Sequence, residues 1–108
     1  MSARLGVAIM AHPARRVWWD AMLSQLEQEG AAVDLIVDET GAGIWPTARQ
    51  AWAGARPDDT HRMVLQDDII LCRDLVAGVE AALAPVPSAP IRLFTVSRRI
   101  LGAPGYWA

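Results

Sequence analysis

Three clusters of polar residues that could do chemistry each follow an apolar run of the sequence. The clusters are His12 with Pro13, Asp38 with Glu39, and Gln66 with Asp67 and Asp68. If the apolar runs are parallel strands, their carboxyl ends meet at one edge of a sheet, where ligands of open α/β sheets bind. We therefore expect one binding site built from all three clusters.

The acids Asp67 and Asp68 interrupt an apolar run where a core strand should continue. Side chains alternate along a strand, so adjacent acids are a poor match for the converging carboxyl pair of a glycosidase or an aspartic protease. A cation such as Mg²⁺ or Mn²⁺ needs only one or two carboxylates, completed by phosphate and water. We expect Asp68, assisted by Asp67, to bind such a cation. The alternative is a solvated strand end or a helix cap, a role that Asp74 also fits.

The remaining candidates each have two interpretations. Asp38 precedes the glycine loop 41–43, where it could contact a ligand or stabilise a turn. His12 could bind a ligand or cap the strand exit. Arg49 could grip a diphosphate or pair with Asp38. Trp45 lies beside the glycine loop in the sequence and could stack on a base or sugar.

These candidates need a scaffold, and the hydrophobic pattern predicts one. Apolar runs predict strands, and apolar residues at helical spacing predict helices. The predicted strands cover 5–11, 32–37, the start of 62–71, and 91–96, and the predicted helices cover 15–29, about 44–54 and 75–83. In the first helix the residues at helical spacing are Val17, Trp18, Ala21, Met22 and Leu26. The order β-α-β-α-β-α-β predicts an α/β fold with an open, mostly parallel, Rossmann-like sheet.

Composition excludes several classes of function. The 108 residues are 53% hydrophobic and 20% charged, which fits one soluble domain spanning 1–108. Ten arginines, no lysine and 12 acids give a net charge of -2, which disfavours general nucleic-acid or anionic-membrane binding. No apolar run approaches the roughly 20 residues of a membrane span, and no signal peptide is evident. The single Cys72 favours a reducing, cytoplasmic location.

Three segments together resemble a known family. They are Val7-Ala-Ile-Met-Ala-His-Pro13, Gly43-Ile-Trp-Pro-Thr-Ala-Arg-Gln-Ala-Trp52 and Met63-Val-Leu-Gln-Asp-Asp-Ile69. They resemble the nucleotide-binding half of GT-A type glycosyltransferases, in particular the small ones of actinobacteria and their phages, over about residues 5–96. The apolar strand that ends in Gln-Asp-Asp is similar to the family's DxD motif.

The resemblance implies a metal-dependent glycosyltransferase that takes a sugar from a nucleotide-diphosphate donor. Asp68 matches the acid that binds Mg²⁺ or Mn²⁺, with Asp67 as a helper. Gln66 stands where the family usually has an acid, and an amide brings no charge to the metal. The positions that match the family's nucleoside- or donor-facing residues are Ala11, His12, Pro13, Asp38 and Arg49.

The chain departs from the family in length. Only 40 residues follow Asp68, whereas the family continues with an acceptor-binding half that carries the catalytic base. The catalytic residue and the acceptor therefore stay unassigned. Three explanations are open: donor binding without efficient transfer, a partner chain that supplies the missing half, or a fragment. The apolar tail 97–108 could cover a sheet edge or dock on a second copy.

Two other functions compete with this interpretation. The first is a small α/β interaction or assembly module without catalytic activity, in which the acids are structural and the tryptophans and tail mediate association. The second is a nucleotidyltransferase, which we expect to have a phosphate loop rich in glycine and Lys/Arg after its first strand. Residues 11–14 provide no such loop.

Overall fold

The computed structural model describes residues 4–88, and it shows strands alternating with helices. In chain order the elements are β1 (Leu5–Ala11), a 3-10 turn (Pro13–Arg15), α1 (Arg16–Gln28), β2 (Ala32–Val37), α2 (Ile44–Ala53), β3 (His61–Gln66) and α3 (Leu75–Leu83). This confirms the predicted α/β class. The predicted strand 91–96 and the tail 97–108 lie outside the described residues.

The described strands form one open, parallel sheet in the order β2-β1-β3. The central strand β1 is buried along almost its whole length, and Val7 and Ile9 are fully inaccessible. A central parallel strand is covered on both faces, which is why its sequence is continuously apolar instead of alternating.

One face of the sheet is covered by α1 and α3. Trp19, Met22 and Leu26 of α1 and Val76, Val79 and Leu83 of α3 share a core cluster with Val7 and Ile9. Gly30, with φ of 87°, follows α1 in the left-handed region that glycine tolerates best. The buried face of α1 is centred on Trp19, not on the predicted Trp18, which is 56% exposed. Trp19, Met22 and Leu26 lie on one helical face and pack in the core cluster, and the Trp19 indole N–H also donates to the carbonyl of His12 at 3.1 Å.

The helix α2 contacts all three strands with a face of small residues. Thr47 and Ala51 are buried, while Ile44, Trp45 and Trp52 are exposed. Gly43 precedes the helix with φ of 98°, and the Thr47 hydroxyl donates to the Gly43 carbonyl at 2.9 Å. Proline at the third residue of α2 suits a first turn, because N–H groups there have no partner within the helix.

An ion-pair network ties α2 and β3 to the middle of β2. The Asp34 carboxylate accepts hydrogen bonds from Arg56 Nη2 at 2.6 Å and from Arg62 Nη1 at 3.0 Å. The Arg62 side chain is only 7% exposed, and its Nε donates to the carbonyl of Ala51 at 2.9 Å. A buried guanidinium needs such a partner, so Asp34 compensates a charge that the fold has taken out of water.

Across residues 4–88, no helix is long and apolar enough to cross a membrane.

Candidate functional site

An open cleft of about 400 Å³, lined by both polar and apolar residues, lies at the carboxyl ends of the three described strands. Six of the residues predicted from the sequence line it: Ala11, His12, Asp38, Gln66, Asp67 and Asp68. They come together because the strands are parallel, so that the segments following β1, β2 and β3 leave the sheet at the same edge.

The other three predicted residues lie outside the cleft. Several residues that do line the cleft were not predicted from the sequence. Pro13, Trp45 and Arg49 are exposed and do not line the cleft. The first turn of α2 contributes Gly43, Ile44 and Thr47 to the lining instead, and the loop after β1 contributes Arg15. Sequence reasoning placed Arg15 in a helix, and the only signal for its role was its position three residues after His12.

Asp67 is the buried acid of the cleft, with 2% of its surface exposed. One carboxylate oxygen accepts the backbone N–H of His12 at 2.6 Å, and the other accepts Nη1 of Arg15 at 2.8 Å. Protein donors therefore engage both oxygens. A carboxylate held in this way already has its charge compensated, and the role of Asp67 as a helper in cation binding stays a prediction.

Arg15 forms an ion pair with Asp67 but keeps half of its side chain exposed. The hydrogen bond and the charge of Asp67 raise the pKa of Arg15, and the charge of Asp68 adds to this effect. Arg15 therefore presents a permanently charged, planar group to the cleft from a fixed anchor.

His12 stabilises the loop after β1. Its Nδ1 accepts the backbone N–H of Ala14 at 3.1 Å, and its carbonyl accepts the backbone N–H of Arg15 at 2.9 Å. This is the capping arrangement that the sequence left open. Since Nδ1 is an acceptor here, the proton of a neutral imidazole lies on Nε2, which is then a donor.

Asp38 stabilises the loop that leads into α2. Its two carboxylate oxygens accept the backbone N–H groups of Ala42 at 2.9 Å and Gly43 at 3.0 Å. Its own N–H donates to the carbonyl of Ala11 at 2.9 Å. Asp38 therefore performs the predicted turn role while also lining the cleft.

Asp68 and Gln66 are the exposed polar residues at the end of β3. Among the residues that the structure describes, no group of three or more His, Cys, Asp or Glu side chains could hold a metal ion. The cleft therefore does not fit a cation held by protein ligands alone.

Side chains at the C-terminal end of α1 form hydrogen bonds with the backbone of the segment 72–76. The Glu29 carboxylate accepts the backbone N–H of Val76 at 2.9 Å and of Asp74 at 3.2 Å, and Gln25 Nε2 donates to the carbonyl of Cys72 at 2.7 Å. The hydrogen bond from Val76 and that from Gln25 lower the pKa of Glu29. Asp74 makes no side-chain capping bond and adopts φ of 59°, and Glu29, the residue that follows α1, caps α3 instead.

Comparison with protein-family models gives no match for this chain, and comparisons with curated proteins and with solved structures give none either.

Proposed function

We propose that this chain binds a nucleoside-diphosphate sugar in the cleft and acts as a glycosyltransferase or as its donor-binding portion. The observation that carries the proposal is the meeting of Asp68, Gln66 and the loop after β1 in one cleft at the carboxyl edge of a parallel sheet. That edge is where open α/β sheets bind nucleotides.

The size and lining of the cleft support a ligand of this class. A volume of about 400 Å³ lies within the usual range of small-molecule sites. The amide of Gln66 can accept a hydrogen bond from a ribose hydroxyl, and it can also donate one. The apolar side chain of Ile44, at the start of α2, also lines the cleft. Gln66 therefore suits a sugar hydroxyl of the ligand, and Ile44 suits an apolar part of it.

Asp68 is the residue we assign to Mg²⁺ or Mn²⁺. Its carboxylate is exposed to the cleft, whereas those of Asp67 and Asp38 are held by protein donors. When bound, a divalent cation stabilises the negative charge that develops on the departing diphosphate. The acceptor and the catalytic base stay unassigned. An exposed, free Cys72 suits the reducing cytoplasm, which is the location we propose.

The test is calorimetric titration with UDP, GDP and their common sugar conjugates, with and without Mn²⁺. We expect one nucleotide to bind in a Mn²⁺-dependent way, and we expect Asp68→Asn to remove that dependence. Asp58→Asn is the matched control, because Asp58 is also exposed but lies before β3, away from the cleft. Equal binding by wild type and Asp68→Asn would contradict the assignment of Asp68.

The second candidate function is an interaction or assembly module, and a separate observation favours it. Trp18, Trp45 and Trp52 are 56%, 79% and 57% exposed, respectively. Large exposed apolar side chains are typical of association surfaces. Light-scattering mass measured across a concentration series tests this function: a mass above that of one chain, lowered by Trp45→Ser and insensitive to nucleotides, would favour assembly over donor binding.

A further inference from the structure

Arg15 is the one cation that lines the cleft among the residues that the structure describes. The other charged residues of the lining are the acids Asp38, Asp67 and Asp68. A ligand that carries negative charge therefore has one direct cationic contact on the protein. Which part of the ligand it meets depends on where Arg15 is held.

The position of Arg15 is set by a buried partner. Its Nη1 donates to Asp67, whose carboxylate is itself anchored by the backbone N–H of His12. A guanidinium has five N–H donors, and the hydrogen bonds found within residues 4–88 use one of them. The rest of the group, half of whose side chain is exposed, remains available to oxygen acceptors in the cleft.

The adjacent imidazole of His12 adds a second N–H donor, which is uncharged in the neutral ring. His12 lines the cleft, and its Nδ1 is engaged by Ala14, which places the donor function of the neutral ring on Nε2. Arginine matches the geometry of phosphate oxygens with two parallel N–H groups, and such charge-assisted bonds are among the strongest in proteins.

We propose that Arg15 binds the phosphate oxygens of the ligand and that Asp67 is its positioning residue, so that the two acids after β3 have different tasks. Asp68 faces the cation, whereas Asp67 holds a guanidinium. This inference rests on the proposed function, because it assigns a contact within the same cleft. It extends that function by adding a direct protein contact to the diphosphate beside the one made through the cation.

The test measures the binding of UDP, UMP, GDP and GMP by calorimetry in the presence of Mn²⁺. We expect Arg15→Gln to weaken diphosphate binding by at least about tenfold, the loss of one hydrogen bond to a charged group. The preference for diphosphate over monophosphate should shrink as well. Arg16→Gln is the matched control, since Arg16 is the next residue and its exposed side chain pairs with Asp20.

The role of Asp67 is tested by a double-mutant cycle. Asn at position 67 keeps an oxygen for the His12 N–H but loses the charge that holds Arg15. We expect Asp67→Asn to weaken diphosphate binding several-fold in the wild-type background and to have no further effect in Arg15→Gln. A merely structural role would weaken both backgrounds equally. Circular dichroism and thermal unfolding confirm that each variant is folded.

The outcomes separate this inference from the function it rests on. Wild-type diphosphate affinity in Arg15→Gln, together with loss of Mn²⁺ dependence in Asp68→Asn, would overturn the inference and leave donor binding intact. An equal loss in Arg16→Gln would also overturn it, because the effect would then be one of overall charge. Failure of the folded wild type to bind any of the four nucleotides would overturn both.

Discussion

The carboxylate of Asp67 accepts the backbone N–H of His12 at 2.6 Å, and this bond joins two neighbouring strands just beyond their last paired residues. The ladder between β1 and β3 ends at Met10 and Gln66. Past that point the main chains separate and open the cleft. The backbone N–H of His12 has no main-chain acceptor on β3, and a carboxylate oxygen of Asp67 accepts it instead.

The first prediction concerns the stability that this bond provides. We expect Asp67→Ala to lower the free energy of unfolding by about 2 kcal/mol, because it removes the partner of the His12 N–H and of Arg15 together. Asp67→Asn should lower it by less, about 1 kcal/mol, since it keeps one oxygen. Urea unfolding followed by circular dichroism measures both values. The control Asp68→Ala, at an exposed acid, should stay within about 0.5 kcal/mol of wild type.

The second prediction concerns pH and Glu29. Because hydrogen bonds lower the pKa of Glu29 in the folded chain, the folded state binds a proton at this site less readily than the unfolded chain, whose value is near 4.5. The stabilisation by Glu29 is therefore complete above pH 4.5 and is lost as the pH falls through the lower, folded pKa. Unfolding of wild type and Glu29→Gln at pH 3 to 7 measures it. We expect the difference between them to be constant at neutral pH and to shrink in acid, and a pH-independent difference would contradict the assignment.

The third prediction concerns the ion-pair network of β2. We expect Asp34→Ala to lower the free energy of unfolding by about 3 kcal/mol, because it leaves the buried guanidinium of Arg62 without compensation. Arg56→Ala should have a smaller effect, since the Arg56 side chain is 35% exposed and Asp34 keeps its second partner. Chemical unfolding of the two variants compares them directly. A larger effect of Arg56→Ala would mean that the exposed pair, and not the buried one, dominates the network.

The fourth prediction concerns the space around Gly6 in β1. A Cβ at this position would overlap the carboxylate of Asp59, which accepts the backbone N–H of Arg56 at 3.1 Å. Gly6→Ala should therefore lower the free energy of unfolding by about 1 to 3 kcal/mol, the usual effect of overpacking. Thermal unfolding measures it. In the background Asp59→Gly, Gly6→Ala should have a smaller effect, because the overlapping group is gone.

Much of the fold was predictable from local pattern. The continuous apolar run of β1, the glycine after α1 and the proline in the first turn of α2 each have a local physical reason, and the structure contains the corresponding elements. The buried face of α1 was not predictable in this way. Trp18 and Trp19 are adjacent and equally apolar, and the structure buries Trp19, which packs with Met22 and Leu26 and donates its indole N–H to the carbonyl of His12.

The residues that follow each strand can be read from the apolar pattern, and parallel strands bring such residues to one edge for a geometric reason. The contacts that each of them makes there depend on how the loops pack against one another. Asp67 and Asp68 are neighbours of the same type, yet one is buried against His12 and Arg15 and the other is exposed. Both residues lie in the turn that follows β3, and only the packing of the loop after β1 against this turn determines which of the two is covered by protein.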